Sequence, residues 1–89
     1  MHGTGSVKVP DGKLVEVELM YDEVIQSVRI TGDFFLEPPD ARTALESAIE
    51  GHHTDANESE LREAIERVDA DLIGFDANHL VAATREALR

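Results

Sequence analysis

The chain has 89 residues, no cysteine and a formal net charge of −11, with nineteen acidic side chains against eight basic ones. That length suits one domain with a modest core, because a chain of this size buries only about 60–65% of the surface its unfolded form exposes. The missing thiols exclude disulfides, iron–sulfur ligation, thiolate zinc sites and thiol catalysis, and the acidic surface repels nucleic acid, which is bound by clustered Lys and Arg. No apolar run reaches the length of a membrane span and the start MHGTGSVKVP has no signal-peptide core, so a soluble, cytoplasmic protein is expected. Hydrophobic residues still make up 42% of the chain and recur periodically, which argues against disorder. Only Lys8 and Lys13 are lysines. A halophilic adaptation to a high-salt cytosol accounts for folded, acidic and lysine-poor together, since salt screens self-repulsion. The other reading is an acidic surface suited to a basic partner.

In chain order, residues 1–5 read as a flexible end and residues 6–32 as an antiparallel β-meander. A short strand over Ser6–Val9 is followed by PDG, a hairpin turn in which Gly12 supplies the positive φ. LVEVELMY then alternates, with Val15, Val17, Leu19 and Tyr21 on one face and Glu16 and Glu18 on the other. After a turn at Asp22–Glu23, VIQSVRIT runs back as a third strand. Its apolar spacing slips between Ile25 and Val28, which predicts a bulge near Gln26.

Residues 38–89 read as a helical layer. Leu45, Ala48 and Ile49, with Ala41 and Ala44 beside them, mark the first helix; the prolines fit its first turn and Gly51 its end. Asn57 and Glu60 stand at capping-box spacing before a stripe of Leu61, Ile65 and Val68. DADLIGFD is a connector whose Leu72, Ile73 and Phe75 pack down, and Asp76 caps a last helix with Ala77, Leu80, Val81, Thr84, Ala87 and Leu88 inward. The expected fold is two-layer α+β: a three-stranded antiparallel meander followed by about three helices packed on one face.

Little in the sequence carries chemistry. His52 and His53 adjoin, so their side chains diverge, and no third ligand stands at a recognised spacing; no metal site is expected. His2 falls in the loose end, and His79 on the outer face of the last helix beside Asn78, where it reads as a solvated histidine. Glu46, Glu50, Glu58, Glu60, Glu63 and Glu66 fall on exposed helix faces, not at buried positions that would suit a general acid or base. There is no nucleophile constellation and no nucleotide loop, so no catalytic set stands in this chain alone. What stands out is ITGDFF. Two of the four aromatic residues, Phe34 and Phe35, sit where strand passes to helix. Gly32 permits a sharp turn or a close approach, and Asp33 can accept bonds from freed amides. Adjacent residues of extended chain point to opposite sides. Either both rings are core, split between sheet and helix, or one anchors the layers and the other lies near the surface as an interface anchor.

The segment KVPDGKLVEVELMYDEVIQSVRITGDFFLEPPDARTALESAIEG carries an ordered set: Lys8, Gly12-Lys13-Leu14, Val28, Ile30, Thr31-Gly32-Asp33-Phe34-Phe35 and Pro38. In this set the chain resembles the small accessory domain of lipoate–protein ligases, strongly over about half its length. In that family a large domain binds lipoate and ATP with Mg, forms lipoyl-adenylate with release of pyrophosphate, and passes the lipoyl group to a lysine of an acceptor domain. The accessory domain is fused to the large one in many members and separate in others. This chain is similar to the separate form, a non-catalytic accessory subunit that binds no cofactor alone. The resemblance implies a large catalytic subunit as partner and, through it, lipoyl-acceptor domains. It also implies a docking surface of Lys13, Asp33, Phe34 and Phe35, with Lys8 a lesser contributor and Gly12 and Gly32 as structural turns. The alternative is an interaction module of the same fold serving another partner. The related iron–sulfur scaffold role is disfavoured because it works through cysteines.

Overall fold

The computed structural model describes residues 1–10 and 13–89; the turn assigned to Gly12 lies outside the described residues. The elements follow in the order β1 (His2–Lys8), β2 (Leu14–Tyr21), β3 (Ile25–Gly32), β4 (Phe35–Glu37), α1 (Ala41–Ile49), α2 (Glu58–Glu66), β5 (Asp71–Ile73) and α3 (Ala77–Ala87). The first three strands form an antiparallel sheet in sequence order, and β4 pairs with β5 in a separate two-stranded ribbon. The helices lie on one face of the three-stranded sheet, α3 over β1 and β2 and α1 over β3, with α2 packed against both of these helices. This is the two-layer α+β arrangement expected from a meander followed by helices.

The alternation of β2 survives intact: Val15, Val17, Leu19 and Tyr21 are buried under the helices, while Glu18 and Met20 are exposed on the other face. The slip in β3 also appears. Met20 pairs with Ser27 and Tyr21 with Ile25, so Gln26 is the extra residue and Ile25, Val28 and Ile30 all reach the core. Leu45, Ile49, Leu61, Ile65 and Leu80 close the core from the helical side. Asn57 caps α2 by accepting from the Glu60 amide at 2.9 Å, and Gly51, with φ of 89°, follows the end of α1.

Four expectations need correction. The first five residues are not loose: β1 begins at His2 and its pairing with β2 starts at His2↔Met20. Two glycines explain both the misreading and the strand. Gly3 and Gly5 lie beneath α3, and a Cβ on either would overlap the carbonyl oxygen of Ala87 or of Ala83. The chain uses glycine there so that a helix backbone can settle directly on a strand. Pro38 and Pro39 precede α1 rather than occupying its first turn, because Asp40 is the N-cap. His79 is not simply solvated: its Nδ1 accepts from the Asp76 amide at 3.0 Å while Asp76 Oδ1 accepts from the His79 amide at 3.2 Å, a reciprocal cap of α3. Finally, Glu46 and Glu50 are not idle surface charge. Glu46 Oε2 accepts from the Ile30 amide at 2.8 Å and Glu50 Oε2 from the Val28 amide at 3.2 Å. One from α1 and one from its C-cap, they satisfy two outward amides of the edge strand β3.

Gly5→Ala is expected to destabilise the fold by about 1–3 kcal/mol, because the helix backbone has no room to yield; a shifted urea midpoint measures it. Glu46→Ala leaves a part-buried amide unpaired and should cost about 1–3 kcal/mol in the same titration, whereas Glu63→Ala, on an exposed face of α2, should stay within about 0.5 kcal/mol.

Candidate functional site

The sequence-predicted residues converge at one end of the sheet. Lys8 ends β1 opposite Leu14, the first residue of β2, and the Asp33 amide donates to the Leu14 carbonyl at 3.0 Å just past β3. Gly32 makes this crowding possible. Its φ is 151°, and a Cβ there would strike the Leu14 carbonyl and crowd the Phe34 ring at 2.9 Å. Asp33 is exposed, and the hydrogen bond that fixes it is made by its amide.

The two phenylalanines part as adjacent residues of extended chain must. Phe34 turns inward, its ring 4.4 Å from that of buried Phe75 at an interplanar angle of 41°. This aromatic pair joins the strand end to the residue just before the α3 cap. Phe35 turns outward and is 68% exposed. It lies directly opposite Ile73 in the β4–β5 ribbon, and Ile73 is 47% exposed. Together they form an apolar knob on a surface otherwise rich in carboxylates.

Lys13 borders the knob. Its Nζ lies 5.8 Å from the centroid of the Phe35 ring, within the range of a cation–π contact. Its alkyl stem crosses Gly74, where a Cβ would meet Nζ at 2.8 Å and Cδ at 3.1 Å. On the other side of Phe35 opens a groove of about 590 Å³, walled by Thr31, Gly32 and the Phe34–Leu36 segment and, opposite, by Pro39, Arg42 and Thr43.

Sequence reasoning missed Ile73 and Gly74. Both stand in DLIGFD, where Leu72 and Phe75 do turn inward but Ile73 does not. The signal available was Gly74 itself, which at φ 91° marks a turn after an apolar pair. Among the described residues no three His, Asp or Glu side chains converge to hold a metal ion. His52 Nδ1 lies 3.1 Å from the Ile49 carbonyl, and His53 is exposed, its backbone bridging to Val24. No described helix is long and apolar enough to cross a membrane. The arrangement is suited to contact: an apolar knob, a flanking cation and an adjacent groove.

No protein-family model matches the sequence, and no curated protein matches it. Among solved structures, the chain superimposes on one from an archaeal lipoylation system, comprising a bipartite lipoate protein ligase and its E2 lipoyl domain, of Thermoplasma acidophilum. The TM-score is 0.74 at 23% identity, over 100% of this chain and 96% of that one. At that identity the likeness establishes a shared two-layer α+β fold over the whole length.

Phe34→Ala removes the ring that joins β4 to Phe75 and should lower stability by about 2 kcal/mol or more. Phe35→Ala should leave the urea midpoint within about 0.5 kcal/mol of the parent, since the ring packs on little. The contrast separates the structural phenylalanine from the presented one.

Proposed function

We propose that this chain is the non-catalytic accessory subunit of a two-chain, ATP-dependent lipoate–protein ligase, docking on a large catalytic subunit to enable lipoate adenylation. The observation that carries the reading is the end-to-end fold correspondence with a chain of a system whose ligase is bipartite. The ordered motif from Lys8 to Pro38 supports it, and so does the exposed apolar knob to which that motif contributes Phe35.

Phe35 is the central anchor of the docking surface, with Ile73 beside it and Lys13 and Lys8 on the rim; Asp33 and Phe34 hold the knob in position. A large apolar side chain buried at the centre of an interface supplies most of its affinity, while rim charges act more on approach and orientation. Lipoate, ATP and Mg bind the complex through the large subunit. The role of this chain is closure: covering the site excludes water and holds the carboxylate against the α-phosphate as the adenylate forms. The reaction product passes to a lysine of the acceptor domain without further chemistry from the small subunit.

Phe35→Ala should weaken assembly with the large subunit by about 10- to 30-fold, in keeping with loss of an anchor of about 2 kcal/mol, and Lys13→Ala by less. Titrating each variant into the large subunit while following lipoate-dependent pyrophosphate release measures this. Unchanged half-saturation for both variants sinks the assignment of the docking surface; equal pyrophosphate release with no small chain present sinks the function.

A further inference from the structure

The two edges of the three-stranded sheet are treated differently by the chain. On β3 the outward groups are met from within. The Ile25 amide donates to the His52 carbonyl at 2.8 Å and the Gly51 amide to the Ile25 carbonyl at 2.9 Å. Farther along, Glu50 and Glu46 accept from the Val28 and Ile30 amides. An edge covered in this way offers little to an incoming strand.

The β1 edge has no such cover. Met1 and Tyr21 exchange backbone hydrogen bonds, and the Val9 amide donates to the Lys13 carbonyl at 2.8 Å. Antiparallel pairing alternates, so the odd-numbered residues of β1 bond to β2 and the even-numbered ones turn their N–H and C=O groups away from the sheet. Those are His2, Thr4, Ser6 and Lys8, all with exposed side chains. Among the described residues, no turn, cap or side chain supplies their backbone groups with a partner. The result is a seven-residue strand with a regular row of free donors and acceptors.

We propose that β1 is a strand-addition site, on which an extended strand of the large ligase subunit pairs edge to edge. The inference rests on the reading of this chain as a ligase subunit. Charge selects the occupant. Residues 1–10 hold none of the nineteen acidic side chains and include Lys8, with Lys13 just beyond. A second copy would instead bring together two chains of formal charge −11. A partner strand with a carboxylate opposite Lys8 meets the edge without that repulsion. Lys8 also stands at the end of the sheet that carries Lys13 and Asp33, so one partner can cover edge and knob together.

Amide hydrogen exchange, read residue by residue with and without saturating large subunit, tests this. The Thr4, Ser6 and Lys8 amides should slow at least tenfold in the complex, against the odd-numbered amides already protected by β2. Ser6→Pro removes one outward N–H and no bond to β2, a substitution an edge strand accommodates; it should weaken assembly at least tenfold. Should that variant unfold, exchange in the parent chain still decides. Protection of the even amides without stimulated pyrophosphate release upholds strand addition and overturns the accessory role. Stimulated release with those amides still exchanging freely overturns strand addition alone, and neither effect overturns both. Protection that appears on concentrating the chain by itself assigns the edge to a second copy and overturns the proposal.

Discussion

The seating of α3 on β1 is the constraint on which the rest of the molecule depends. Glycines at positions 3 and 5 and alanines at 83 and 87 remove the side chains that would hold a helix and a strand apart. The helix then lies low enough for Leu80, Val81 and Thr84 to fill the space above β2, with the Thr84 hydroxyl tied to the Leu80 carbonyl at 2.8 Å; among the described residues no buried side-chain polar atom is left unpaired. From that seat the order propagates. Asp76 caps the helix, Phe75 enters the core immediately before the cap, Phe34 stacks on Phe75, and its neighbour Phe35 is thereby turned outward. A feature of the first strand fixes the direction of a ring thirty residues away.

The carboxylates divide into two populations by the same logic. Most are solvated, as a strongly acidic surface requires for solubility. Glu46, on α1, and Glu50, just past its end, differ because they stand beside the β3 edge, where outward amides need acceptors. They do for β3 what a fourth strand would do, and the 51–54 loop continues the cover past the bulge. The sheet is thus closed on one edge and open on the other. Its open edge lies along the segment from which acids are missing.

Much of the fold was legible because its elements are long enough to show their period. The eight residues of β2 and the stripes of α2 and α3 state their burial directly, and the slipped spacing in β3 located the bulge. The parting of Phe34 and Phe35 followed from strand geometry, though which ring went inward depended on Phe75, forty residues on. Two kinds of feature were illegible. Ribbons of three residues, β4 and β5, are too short for alternation to register, so Ile73 read as core. Glycine-rich β1 shows no hydrophobic pattern because its packing is made by the absence of side chains. Likewise, Glu46 and Glu50 look like any exposed helical carboxylates until the strand edge beside them is known.

The central claim is that the Phe35–Ile73 knob faces a large ligase subunit. The most direct measurement places a benzophenone photoprobe at position 35 and, as control, at position 63 on the exposed side of α2. Each labelled chain is then irradiated with the large subunit under conditions of active lipoate adenylation. The account predicts a cross-link from position 35 and none from position 63, abolished by excess unlabelled chain. An assembly that is active yet cross-links equally from both positions, or only from position 63, would contradict it.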